Sequence, residues 1–132
     1  MRARIATLIG VASIAASGPV LAHHSFAATF DDNKPVAMTG TVTKVEWSNP
    51  HIWFFIDVEN PDGTVTNWGF EMGSPNFLMR DGWRHDSMKV GDVVDVEGSQ
   101  SRDDSPNAHA TTVVLTETGQ ALFSGPQVPP AR

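Results

Sequence analysis

The chain has 132 residues, 40% of them hydrophobic, no cysteine, and a formal net charge of −6 with neutral histidine. That length suits one domain with a modest core, and the lack of cysteine excludes a disulfide framework and a lipoprotein anchor. The acidic balance argues against binding the phosphates of nucleic acid, so the expectation is no nucleic acid and no other polyanion as partner.

Residues 1–22 have the three parts of a secretory signal peptide: Arg2 and Arg4 in front, an apolar run from Ile5 to Ala16, and the cleavage-type end Val20-Leu21-Ala22. The run is well short of the ~20 residues that span a bilayer. The expectation is an exported, periplasmic protein with no membrane span after cleavage following Ala22. Losing Arg2 and Arg4 would take the formal charge from −6 to −8.

Residues 23–35 read as an N-terminal arm whose Phe26 and Phe30 dock on the domain, ended by the turn-forming run Asp31-Asp32-Asn33-Lys34-Pro35. The β-branched stretch Val36–Trp47 predicts the first long strand, with Gly40 marking a bulge or bend. After Ser48-Asn49-Pro50, the run His51–Val58 predicts a strand with Ile52, Phe54, Ile56 and Val58 on one face and His51, Trp53, Phe55 and Asp57 on the other. Asn60-Pro61-Asp62-Gly63 is a turn that folds the next strand, Thr64–Met72, back as a hairpin.

Ser74 and Pro75 have the chemistry of an N-cap and first helical residue, so a short helix carrying Phe77, Leu78 and Met79 is expected, ending at Gly82. Val93–Glu97 predicts a fourth strand, the polar stretch Ser99–Ala108 a mobile loop, and Thr111–Thr116 a fifth strand. Leu122 and Phe123 pack back, closing a domain over residues 36–123, and residues 124–132 form a disordered Pro-rich tail. The expected fold class is all-β: a five-stranded OB-like Greek-key barrel with one short helix between strands 3 and 4, with a five- or six-stranded sandwich or roll as the alternative.

Four motifs, HHSFAATFDDNKPV, TGTVTKVEWSNPHIW, NWGFEMGSPN and KVGDVVDVEGS, occur in order from His23 to about Phe123. Through them the chain resembles a family of small exported bacterial proteins known only as a domain of unknown function. The resemblance implies a periplasmic address and a compact β domain, and it supplies no catalytic residues.

Two constellations carry chemistry. Cleavage after Ala22 would place an α-amine and an imidazole together on His23, with His24 following, a nitrogen donor set suited to Cu(II). This resembles the start of a histidine brace, which needs one further histidine from the body of the protein. His51 and His109, next to the loops that flank the binding face of an OB-type barrel, are the candidates for that metal site. The aromatic set Trp47, Trp53, Phe55 and Trp68 is the candidate face for a small ligand or an envelope protein, and packing of the same rings into the core is the competing reading.

Other groups are weaker candidates. Met38, Met72, Met79 and Met88 are scattered and read as core filler. Glu46, Asp57 and Glu71 are tied by no catalytic motif, and Asp31-Asp32 and Asp103-Asp104 lack the ligand spacing of a calcium loop. The expectation is therefore a binding or accessory protein rather than an enzyme, with copper binding as the alternative.

Overall fold

The hairpin at the centre of the fold follows from alternation. In β2 (Trp53–Glu59), Phe54 and Ile56 are buried while Trp53 and Phe55 are only half-covered, as strand periodicity requires. The chain then turns through residues 60–64, where the Gly63 amide donates to the Asn60 carbonyl and Gly63 adopts a φ of 82°. β3 (Val65–Glu71) returns antiparallel, bringing Phe54 opposite Phe70. Their rings stack with centroids 5.2 Å apart. A fully buried Phe of this kind contributes on the order of 2–3 kcal/mol.

The structure is a computed structural model that describes residues 26–124. The signal segment, His23, His24 and most of the Pro-rich tail lie outside the described residues. Within them the order is α1 (Phe26–Thr29), β1 (Phe30–Glu46), β2, β3, α2 (Pro75–Arg80), β4 (Val93–Ser101), β5 (Asn107–Leu115) and β6 (Ala121–Ser124). β1 pairs with β4 along its first part and with β2 along its second, β4 pairs with β5, and β3 meets β5 in parallel at three positions. The ring β1–β2–β3–β5–β4 thus closes on itself in an OB-like manner, although the short parallel seam makes it less regular than a clean barrel.

The expected five strands become six, because β6 pairs with β5 outside the ring. A second short helix, α1, precedes β1. The expected turn at residues 31–35 lies inside β1: the six residues from Phe30 to Pro35 lie opposite only three of β4, from Ser101 to Ser99. Turn chemistry is present locally, since the Asn33 amide donates to the Asp31 carboxylate, but sheet pairing on both sides makes the segment a bulge rather than a strand boundary. Pairing likewise extends β4 and β5 into the expected loop, leaving only residues 102–106 between them.

Gly40 marks where β1 passes closely over β2. A Cβ there would lie 2.6 Å from the Asp57 carbonyl oxygen, so only glycine fits the approach. α2 begins as its sequence predicts, with the Ser74 hydroxyl accepting from the Phe77 amide and Pro75 in the first turn. Leu78 enters the core, whereas Phe77 and Met79 remain 42% and 49% exposed. Met72 and Met88 are buried with Phe54, Ile56, Phe70 and Trp83 in one cluster. Among the described residues no helix is long and apolar enough to cross a membrane.

Candidate functional site

Sheet register brings three polar side chains to one end of the ring. Trp53 pairs with Glu71 on β3, and Glu71 pairs with His109 on β5, so these residues point to the same outer face. His51, in the loop 47–52 between β1 and β2, is held against the end of β3 by backbone bonds from Ile52 to Gly73 and from Met72 to Ile52. His51 Nδ1 contacts a Glu71 carboxylate oxygen; the His51 side chain is 41% exposed and that of Glu71 only 14%.

The N-terminal segment covers this corner. Phe26 sits edge-on to the His109 ring at 5.1 Å, and Phe30 lies 5.6 Å from it. Together Phe26, Thr29, Phe30, His51, Glu71, Met72, Gly73 and His109 line a pocket of about 190 Å³. Burial pushes the His109 imidazole below its ordinary pKa, the neighbouring His51 adds to this, and Asp32 partly opposes it. A neutral imidazole keeps a lone pair available to a ligand.

Arg102 fastens the covering segment. Its amide donates to the Thr29 carbonyl, its Nε to the Ala27 carbonyl, and its guanidinium reaches Asp31 at 3.3 Å. Lys34 bridges to Asp104 at 2.6 Å, and the Ser99 hydroxyl donates to Asp32. Both acidic pairs considered for calcium are thus engaged within the protein at the junction of the β1 bulge and the 102–106 loop. Asp103 is held down to about 2 by hydrogen bonds, first from the Ser101 hydroxyl and then from Ser105.

The candidate histidines divide. His51 and His109 share the pocket, while His23 and His24 lie outside the described residues. Among the described residues no three His, Asp or Glu side chains form a metal-holding group. Glu71, weighed in the sequence only as a catalytic carboxylate, is instead the partner of His51; nothing in the chain's spacing ties Glu71 to His51, because only the β2–β3 register joins them.

The aromatic set also divides. Trp53 and Phe55 stack at 6.4 Å on the outer face, with Lys44 Nζ 5.5 Å from the Phe55 ring centroid. Asn67 on the same face donates to Thr43 and Asp57. Gly69 lets Asn107 and the Phe55 ring pack directly on the backbone, where a Cβ would meet Asn107 Oδ1 at 2.6 Å and the ring at 3.0 Å. Trp68 pairs with Ile56 and so turns to the inner side, stacking on Phe70 at 6.3 Å. Trp47 packs against the core and lies 5.7 Å from His85. The single outer face expected for four rings therefore contains two of them.

Comparison with known proteins identifies fold likenesses. The N-terminal domain of PriB protein from Thermoanaerobacter tencongensis is similar at 22% identity and a TM-score of 0.47, covering 64% of this chain and 97% of that one. The mitochondrial single-stranded DNA binding protein Rim1 from S. cerevisiae is similar at 14% identity and a TM-score of 0.46, covering 73% of this chain and 98% of that one. No curated protein matches the sequence.

With a single-stranded DNA binding protein among these structures, the exclusion of nucleic acid drawn from net charge is withdrawn. The physical correction is that a charge summed over the chain does not set the charge of one face; Lys44, for example, lies on the Trp53–Phe55 face. Fold likeness at this level assigns no ligand to this chain. The sequence matches the family of unknown function DUF6152 over residues 11–111, and the chain belongs to that family.

Proposed function

We propose that this is an exported, periplasmic binding or accessory protein that takes a small ligand or an envelope protein at the pocket rim and along the adjoining Trp53–Phe55 face. The observation that carries the reading is the meeting of His51, Glu71 and His109 beneath Phe26 and Phe30, next to two half-covered stacked rings. The signal-like residues 1–22 support the address.

The test is capture from a periplasmic extract by immobilised mature protein and by Trp53→Ala, with bound molecules identified by mass spectrometry. Trp53→Ala should keep the fold and lose the captured species. Equal capture by both proteins rejects the face, and loss of the fold assigns Trp53 to the core.

A second reading, copper binding through His23, His24 and one of His51 or His109, is favoured by one further observation. Phe26, two residues after His24 in the sequence, packs on the His109 ring. At about 3.3–3.6 Å per extended residue, the histidine pair is within reach of the pocket. Cu(II) titration of mature protein with its native N-terminus should give an affinity tighter than micromolar that is lost when one extra residue precedes His23. Weak binding that ignores this extension overturns the copper reading.

A further inference from the structure

The pocket is small and its charge is of one sign. At about 190 Å³ it exceeds the ~150 Å³ apolar cavity that holds a benzene ring and falls short of the ~300 Å³ at which drug-sized sites begin, so it suits an occupant about the size of one ring. Among the described residues that line it, Glu71 is the only carboxylate and there is no Lys or Arg. The basic groups of the covering junction are engaged elsewhere, Arg102 with Ala27 and Asp31 and Lys34 with Asp104. Asp32 adds a second negative charge, close enough to His109 to favour a positive charge there.

The other walls are rings and a thioether. Phe26, Phe30 and His109 form a triangle with centroid separations of 5.7, 5.1 and 5.6 Å. A cation seated against such a triangle comes within the ~6 Å over which aromatic rings attract positive charge. Burial keeps His109 uncharged at neutral pH, so its ring does not repel that cation. A carboxylate has about four lone-pair positions on its two oxygens, so the contact from His51 Nδ1 orients Glu71 and still lets it face a cation.

We propose that the pocket binds a small organic ammonium ion, with Glu71 balancing its charge and Phe26, Phe30 and Met72 packing on its methyl or methylene groups. The proposal rests on the pocket part of the binding reading above and names the ligand's chemical class. An anion of the same size would meet Glu71 with no basic side chain in the pocket wall to offset it. Phe26 belongs to the covering segment and Glu71 to β3, so the ion would be held between the cover and the sheet.

Choline is the probe, compared with its uncharged isostere that has carbon in place of the nitrogen. In NMR titrations at pH 8, above the ordinary imidazole value of ~6.5, choline should shift the Phe26, Phe30 and His109 ring signals and bind about 10-fold or more tightly than the isostere. Glu71→Gln should remove that preference while leaving the isostere's affinity unchanged, a split that a merely structural role for Glu71 would not produce. Phe26→Leu, which keeps an apolar side chain and loses the ring, should weaken choline about two- to five-fold.

Equal binding of choline and the isostere overturns the ammonium proposal and leaves the pocket standing as a site for apolar molecules. No shift at the pocket with saturating choline, or shifts confined to Trp53 and Phe55, overturns it too, and the capture experiment with Trp53→Ala then judges the broader binding reading separately. Should Glu71→Gln fail to fold, the choline–isostere ratio of the native chain and the Phe26→Leu affinity decide.

Discussion

Asp103 and His109 are pushed to lower pKa values for opposite physical reasons. The Asp103 carboxylate is stabilised in its charged form by hydrogen bonds from Ser101 and Ser105, which hold it at about 2. Its stabilising effect is present above the unfolded-state value of ~3.9 and is lost as pH falls through about 2. Carboxyl NMR should find that midpoint, and Ser101→Ala should raise it toward the ordinary range. His109 is destabilised in its charged form by burial and by His51. The unfolded chain takes up that proton near ~6.5 and the native state resists it, so stability is full above ~6.5 and falls on acidification below it. Urea unfolding should give a smaller free energy at pH 5 than at pH 7.5, with a shallower decline in His109→Gln. Parallel declines would show that other groups cause it.

Among the elements, β1 is the longest strand described, pairing with β4 and then with β2, and Gly40 lies where its pairing passes from β4 to β2. Gly40→Ala puts a methyl against a backbone oxygen and the Ile56 side chain, neither with open space to retreat into. The expected cost is about 1–3 kcal/mol, typical of overpacking, read from a shifted urea midpoint. Arg102 acts on a different element, α1, which is too short to hold its own helix. Arg102→Ala removes the contacts to Ala27 and Asp31 but keeps the backbone bond to Thr29. Amide exchange over Phe26–Thr29 should speed up while the sheet amides stay protected, since local opening need not involve the core. Unchanged exchange would mean that Phe26 and Phe30 alone hold the segment.

At the scale of the whole molecule, stability comes from one core without disulfides, formed by rings and branched chains from every side of the closed ring. Phe54→Ala should cost about 3–5 kcal/mol, because a fully buried ring leaves a cavity the strands cannot close. Phe77→Ala, on the exposed side of α2, should shift stability by no more than about 0.5 kcal/mol. Denaturant unfolding of the two variants makes the comparison, and similar losses would show that α2 packs more tightly than its exposure indicates.

Where a signal is local, the sequence by itself determined the outcome. Alternation in HIWFFIDV assigned the core face of β2, the Asn-Pro-Asp-Gly run made the hairpin, and Ser74-Pro75 started α2. Tertiary structure decided what depends on partners distant in the chain. Asp31–Pro35 looks like a turn and makes one locally, yet pairing with β4 keeps it in a strand. Trp53 and Trp68 read alike as aromatic strand residues, and only the β2–β3 register sends one outward and the other inward. The same dependence explains the pocket: His51, Glu71 and His109 are far apart in sequence and adjacent only because β3 joins β2 on one side and β5 on the other. Side-chain period is a property of each strand, whereas register is a property of pairs, and the site is made of pairs.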